Sequence, residues 1–274
     1  MTTTIVESAS RRPFLPILLA LSVAHLLNDL IQSMIPAMYP LFKEAYSLDF
    51  VEIGLITLAF QVTSSLLQPL LGFITDHKPW PYAMVAGMAA TLTGLLGLAF
   101  AGSYGVLLMS AAMVGLGSAV FHPEATRMAR HAAAGAQGFA QGIFQIGGHA
   151  GYAIGPLLAA MIVVPRGQTA LAWISVVALI AMALMAWTGT RYAQMRRAQA
   201  AAGQSHAASK SEQRLPAGHV LFAMAILMLL LLSKNAYTAA FTSYYTFYLI
   251  ERFGVSIPFS QIMLFLYLFV GAIG

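Results

Sequence analysis

Long apolar runs separated by short polar breaks dominate the chain. Eight can be drawn, at 14–41, 53–75, 82–101, 105–126, 138–164, 170–189, 218–248 and 260–274. Most reach or approach the ~20 residues that carry a helix across a ~30 Å hydrocarbon layer. They are numbered here as spans 1 to 8. The longest break, 190–217, is basic and then rich in Ala, Ser and Gln. It reads as a flexible linker that begins as an interfacial helix. The pattern predicts an all-α polytopic membrane protein in three parts: a six-helix half (1–189), a cytoplasmic linker (190–217) and a partial second half (218–274).

Basic residues orient these spans. The N-terminal tail and the even-numbered loops hold Arg11, Arg12, Lys78, Arg127, Arg130, Arg191, Arg196, Arg197, Lys210 and Arg214. The odd-numbered loops hold Lys43, Arg166 and Arg252. The positive-inside rule then places the N-terminus and loops 2–3, 4–5 and 6–7 in the cytoplasm. Ser10-Arg11-Arg12-Pro13 resembles a twin-arginine export signal. The run that follows is longer than a signal's ~7–15 apolar residues and carries Asn28 and Asp29, so the arginines read as anchors.

Composition agrees: 59% of residues are hydrophobic and 8% charged, against roughly 25% charged in soluble domains. The loops account for the +5 net charge, and no nucleic-acid partner is expected. Cys is absent, which excludes disulfides and thiolate sites. No phosphate-binding Gly-x4-Gly-Lys-Ser/Thr loop is present, and no nucleophile–base set argues for an enzyme. No cofactor or metal is expected; the partners are the lipid bilayer, a small and potentially anionic molecule, and protons.

A shift of 209 residues superimposes Tyr39 on Tyr248, Lys43 on Arg252, Ser47 on Ser256, Phe50 on Phe259 and Ile53 on Ile262, and His25 on Lys234. This is the signature of two halves related by an axis along the membrane normal. The second half would then hold two helices of six, as in a truncated chain lacking about four helices.

Polar residues inside the spans carry the candidate chemistry, because ionisable groups in hydrocarbon face a cavity or a partner. His25, Asn28, Asp29 and Gln32 fall on one stripe of span 1. The stripe reads as the wall of a wet cavity or as an interhelical hydrogen-bond network. In the first reading Asp29 and His25 are the proton-coupling pair, with burial favouring a neutral Asp29, and Asn28 and Gln32 are substrate ligands. In span 4, Glu124 can pair with Arg127 and is a second proton-coupling candidate, and Pro123 is expected to loosen the last turns. Asp76 ends span 2, where the helix dipole disfavours a carboxylate. It is either a solvated loop acid beside Lys78 or a partner for Arg127, which otherwise reads as a membrane-edge anchor. Span 5 carries Gly147, Gly151 and Gly155 on one face, suited to close backbone approach, and Pro156 predicts a bend. His149 is a ligand or a core histidine. In span 7, Lys234 needs a partner, either Asp29 or an anionic substrate. Tyr237 and the following aromatics line a site or pack.

Several of these motifs share one resemblance. Gly72-x-x-x-Asp76-His77-Lys78 resembles the loop 2–3 signature of the major facilitator superfamily, with His77 and Pro79-Trp80-Pro81 departing from it. Gly142-x8-Gly151-x3-Gly155-Pro156 resembles the antiporter signature of its drug exporters, with Ala159-Ala160 in place of the final glycines. His25-x-x-Asn28-Asp29, Phe121-His122-Pro123-Glu124 and Ser243-Tyr244-Tyr245-Thr246-Phe247-Tyr248 resemble its fosmidomycin-resistance branch. The resemblance implies a transporter of a bacterial inner membrane that exports a phosphonate antibiotic against protons. Gly72, Asp76, Arg127, Gly142, Gly151, Gly155 and Pro156 would be its gating residues. An uptake facilitator for a small organic anion or sugar, and a non-transporting remnant, are the alternatives.

Overall fold

A computed structural model describes residues 14–77, 80–201 and 216–273, without the side chains of Asp76, 199–201 and Ala217. All eight spans appear as helices. Six rods are long and apolar enough to cross a membrane, and the two others, Ala83–Ala99 and Ile257–Ile273, are shorter apolar helices of 17 residues. Tyr104–Ala132 forms span 4.

The borders differ from expectation where prolines and caps intervene. Span 1 is Leu15–Ala37 and stops short of Leu41. Pro36 lacks the N–H its last turn needs, the axis breaks at Met38, and Pro40 enters the first turn of a separate helix, Tyr39–Tyr46. That helix ends on Ser47 in the left-handed region (φ 53). Span 2 begins earlier than expected, at Phe50, because Asp49 and Glu52 form a capping box: Glu52 N–H donates to Asp49 Oδ1 (2.7 Å) and Asp49 N–H to Glu52 Oε2 (2.9 Å).

Two spans contain a π-helical turn, at Val62–Leu66 and at Ala159–Val163. The second begins at Ala159, within one turn of Pro156, so the expected distortion of span 5 takes the form of a widened turn. Pro123 behaves otherwise: span 4 runs unbroken through it to Ala132. The expectation of loosened last turns is therefore corrected. Phe121, Glu124, Ala125 and Met128 are buried around this proline and hold the helix in place. Span 6 opens with a 3-10 stretch, Gln168–Ile174, and continues as Ser175–Ala201, so the expected linker starts as helix. Residues 202–215 lie outside the described residues. Span 7 is one helix, Ala217–Phe253, closed by left-handed Gly254. The 209-residue register predicts helix ends near 255 and 259; the structure has them at Phe253 and Ile257.

Span 1 packs most extensively on span 5, span 3 on span 4, and span 8 on span 5. The glycines explain the first contact. A Cβ at Gly147 would meet the Ser22 carbonyl, and one at Gly151 the Leu26 carbonyl, so only hydrogen fits where the two backbones touch. Ser22 Oγ adds a bond to the Ile143 carbonyl at 2.7 Å.

Span 7 is bound at one end only. Gly218 to Tyr237 are exposed, whereas Thr242, Ser243, Thr246 and Phe247 are buried. The buried end meets the loop side of spans 1 and 2. Thr57 Oγ1 bridges Tyr39 (2.8 Å) and Ser243 (3.1 Å), Tyr244 donates to the Phe50 carbonyl (3.1 Å), and Gln261 donates to the Ala37 carbonyl (2.6 Å). Phe50 packs edge-on against Phe247.

Candidate functional site

The span 1 stripe builds a compact polar cluster. Asn28 and His25 are buried, and Asp29 takes contacts on both oxygens. Asn28 Nδ2 donates to Asp29 Oδ1 at 2.9 Å and Gln32 Nε2 donates to the same oxygen at 3.1 Å. His25 Nε2 lies 3.2 Å from Asp29 Oδ2. Span 4 supplies a residue absent from the sequence-derived candidates: His122 Nε2 lies 3.7 Å from Asp29 Oδ1. Its sequence signals are a polar ring beside Pro123 in an apolar run and its place in the Phe121-His122-Pro123-Glu124 motif, neither of which assigned it a role.

The two imidazoles are oriented from behind. His25 Nδ1 lies 2.9 Å from the Phe144 carbonyl and His122 Nδ1 lies 3.0 Å from the Ser118 carbonyl. A carbonyl oxygen only accepts, so each Nδ1 carries the hydrogen. In the neutral rings each Nε2 is then bare and turned toward a carboxylate. Lone pairs facing each other at these distances repel, so the arrangement calls for a cation between them. His25 is held in this pose by stacking on Phe144 (4.1 Å between centroids) and by Gly148, whose missing side chain leaves room for its ring. Against the burial expected to favour a neutral Asp29 stand two amide donors, Asn28 and Gln32, and the two rings join them only once a proton or another cation lies between Nε2 and the carboxylate.

Glu124 is not part of this cluster. It is fully buried and ion-paired with Arg127 at 2.5 Å, and Arg127 also donates to the Thr75 carbonyl at 2.6 Å. Arg127 thereby holds the last turn of span 2 against span 4, where Gly72 lies beside Pro123. The Asp76 side chain lies outside the described residues, so its expected contact with Arg127 is not placed.

A cavity of about 740 Å³ opens between spans 5, 7 and 8. His149, Tyr152, Lys234, Thr238, Tyr245 and Tyr267 supply its polar lining. His149 from span 5 and Lys234 from span 7 both line this cavity. Asn28 and Gln32 instead serve Asp29, and Tyr237 is exposed beside Phe241. The ion contacts of Asp29 among the described residues are with the two histidines and not with Lys234. Gly151, Gly155 and Pro156 lie in the buried seam against span 1, while Gly142 faces open space.

Comparison with known proteins fits this architecture. Residues 21–274 match the Major Facilitator Superfamily. The chain is 48% identical over 258 residues to the fosmidomycin resistance protein of Escherichia coli (strain K12), covering 94% of this chain and 63% of that one. It is 39% identical over 259 residues to the uncharacterized MFS-type transporter YfnC of Bacillus subtilis (strain 168), with the same coverage of 94% and 63%. The chain thus spans just under two thirds of the length of these relatives. Among solved structures it resembles a bacterial homologue of the human lysosomal transporter Spinster, with a TM-score of 0.64, 17% identity, and 90% and 58% of the two chains covered. Helix order, the close glycine seam, the polar groups within the spans and the match over most of the chain lead to one assignment: the chain belongs to the major facilitator superfamily.

Proposed function

We propose that the chain acts in proton-coupled export of a small anionic compound of the phosphonate class, across a bacterial inner membrane with its N-terminus in the cytoplasm. The observation that carries this reading is the pairing of a cation-holding cluster, His25–Asp29–His122, with a cavity whose wall bears Lys234 and His149. A proton between His25 Nε2 and Asp29 Oδ2 balances the facing lone pairs. Its departure leaves a negative charge beside the cavity and weakens the hold on an anion. The anion and the proton then influence each other without touching, as coupling requires.

The named relative that confers fosmidomycin resistance supports the export direction and the substrate class. The Gly151-x3-Gly155-Pro156 seam supports it as well. With the positive-inside orientation, the end joined by Tyr39, Thr57, Ser243 and Gln261 faces outward, and the cavity opens toward the cytoplasm. Glu124 and Arg127, with Gly72, act as the inner hinge between spans 2 and 4, and Asp76 extends that hinge.

The test is transport of fosmidomycin into everted membrane vesicles that carry this chain and an imposed proton gradient. Wild type is expected to accumulate the drug, and Asp29→Asn to accumulate none while inserting at the same level. No gradient-dependent uptake by wild type, or undiminished uptake by Asp29→Asn, overturns the reading.

A further inference from the structure

Two imidazoles and one carboxylate converge inside the bundle, and their geometry suits more than a proton. The donor atoms of His25, Asp29 and His122 all lie within 4.8 Å of one another. With metal–ligand bonds of about 2.0–2.2 Å, adjacent donors on one ion stand roughly 3.0–3.5 Å apart. The two histidine-to-carboxylate distances are 3.2 and 3.7 Å, already at or near that edge. We infer that His25 Nε2, His122 Nε2 and Asp29 form a binding site for a divalent transition-metal ion of the Zn²⁺ or Co²⁺ kind.

Three further features support the site. Both rings donate Nδ1–H to a backbone carbonyl, Phe144 and Ser118, which is the outer-shell contact that fixes a metal-binding histidine in the correct tautomer. Asp29 is in turn steadied by Asn28 and Gln32, so the carboxylate is oriented before any ion arrives. Access is open: the side chains of His122 and Asp29 keep 27% and 17% of their surface, whereas His25 keeps 5%. Three protein donors leave coordination positions for water or for an anionic ligand. Two imidazoles disfavour Mg²⁺ and Ca²⁺, which take oxygen donors, and the lack of thiolates disfavours Cu(I).

The site rests on this arrangement and stands whether or not the chain exports a drug. The probe is Co²⁺, titrated into the purified 274-residue chain in detergent and followed by its visible ligand-field absorption, with Zn²⁺ competing. One Co²⁺ per chain is expected, displaced by Zn²⁺. His122→Gln removes a partly exposed donor and no buried charge, so the fold is retained; as a direct ligand its loss is expected to weaken binding by at least the about 10–100-fold that loss of an outer-shell partner costs. His77→Gln, an exposed histidine outside the cluster, leaves the titration unchanged. Absence of the Co²⁺ spectrum in wild type overturns the inference, whatever the variants do. Binding that survives His122→Gln but is lost in His77→Gln also overturns it and moves the ion to the surface. Gradient-driven uptake without metal binding removes this site and leaves the transport reading; metal binding without uptake does the reverse.

Discussion

Lys234 stands in an apolar run with no ion pair among the described residues, and it lines the cavity with His149 and Tyr152. A charged donor held for an anion contributes about 1.5–3 kcal/mol per contact when desolvated. Lys234 is exposed to the cavity, so the lower end applies. Lys234→Gln is expected to weaken fosmidomycin binding by roughly tenfold and to leave a neutral ligand almost unaffected. Equal losses for both, measured by equilibrium binding to the purified chain, would show that Lys234 serves packing instead. The span 1 polar stripe was visible in the sequence because its spacing repeats the helical turn. His25 was legible beside Asp29 on that stripe, whereas His122 was not. The sequence also offered Asp29 as one of two partners for Lys234, the other being an anionic substrate, but the rings that reach Asp29 are His25, one turn away, and His122, from span 4.

At the level of the element, span 5 shows how spacing and environment divide the work. Gly142 and Gly151 belong to one motif, yet a side chain at Gly142 meets nothing within 4 Å while one at Gly151 meets the backbone of span 1. Gly151→Ala is therefore expected to cost about 1–3 kcal/mol through overpacking. Gly142→Ala should be neutral or stabilising, because alanine favours helix over glycine by up to ~1 kcal/mol. Thermal unfolding of the two detergent-solubilised variants separates them; equal shifts would mean that the seam is not closely packed. The glycine stripe itself was legible, and so was a distortion near Pro156. Which helix fills the groove, and the π turn at Ala159–Val163 that absorbs the proline, depend on the packed neighbour.

For the whole molecule, the orientation and the closed end make one prediction together. The chain lacks cysteine, so a single introduced thiol is unique. Ser103 in the loop between spans 3 and 4 and Ala136 between spans 4 and 5 are both exposed. In intact cells an impermeant maleimide is expected to label Ser103→Cys and not Ala136→Cys. The opposite pattern would invert the topology, and with it the assignment of the Tyr39–Thr57–Ser243 end as the outer one.

Much of the architecture is written locally. Apolar length sets the number of spans, because a backbone in hydrocarbon must satisfy its own hydrogen bonds. The Asp49–Glu52 box, Pro36 and Pro40 set helix borders through bonds made or lost within one turn. Basic loops set the expected orientation through charge alone. The functional centre is a different matter. His122 joins Asp29 only because spans 1 and 4 come together, and both rings turn Nε2 inward only because carbonyls of Phe144 and Ser118 capture the opposite nitrogen. The cavity exists only where residues of spans 5, 7 and 8 line one space together. Those contacts join residues far apart in the chain, and packing in three dimensions selects them.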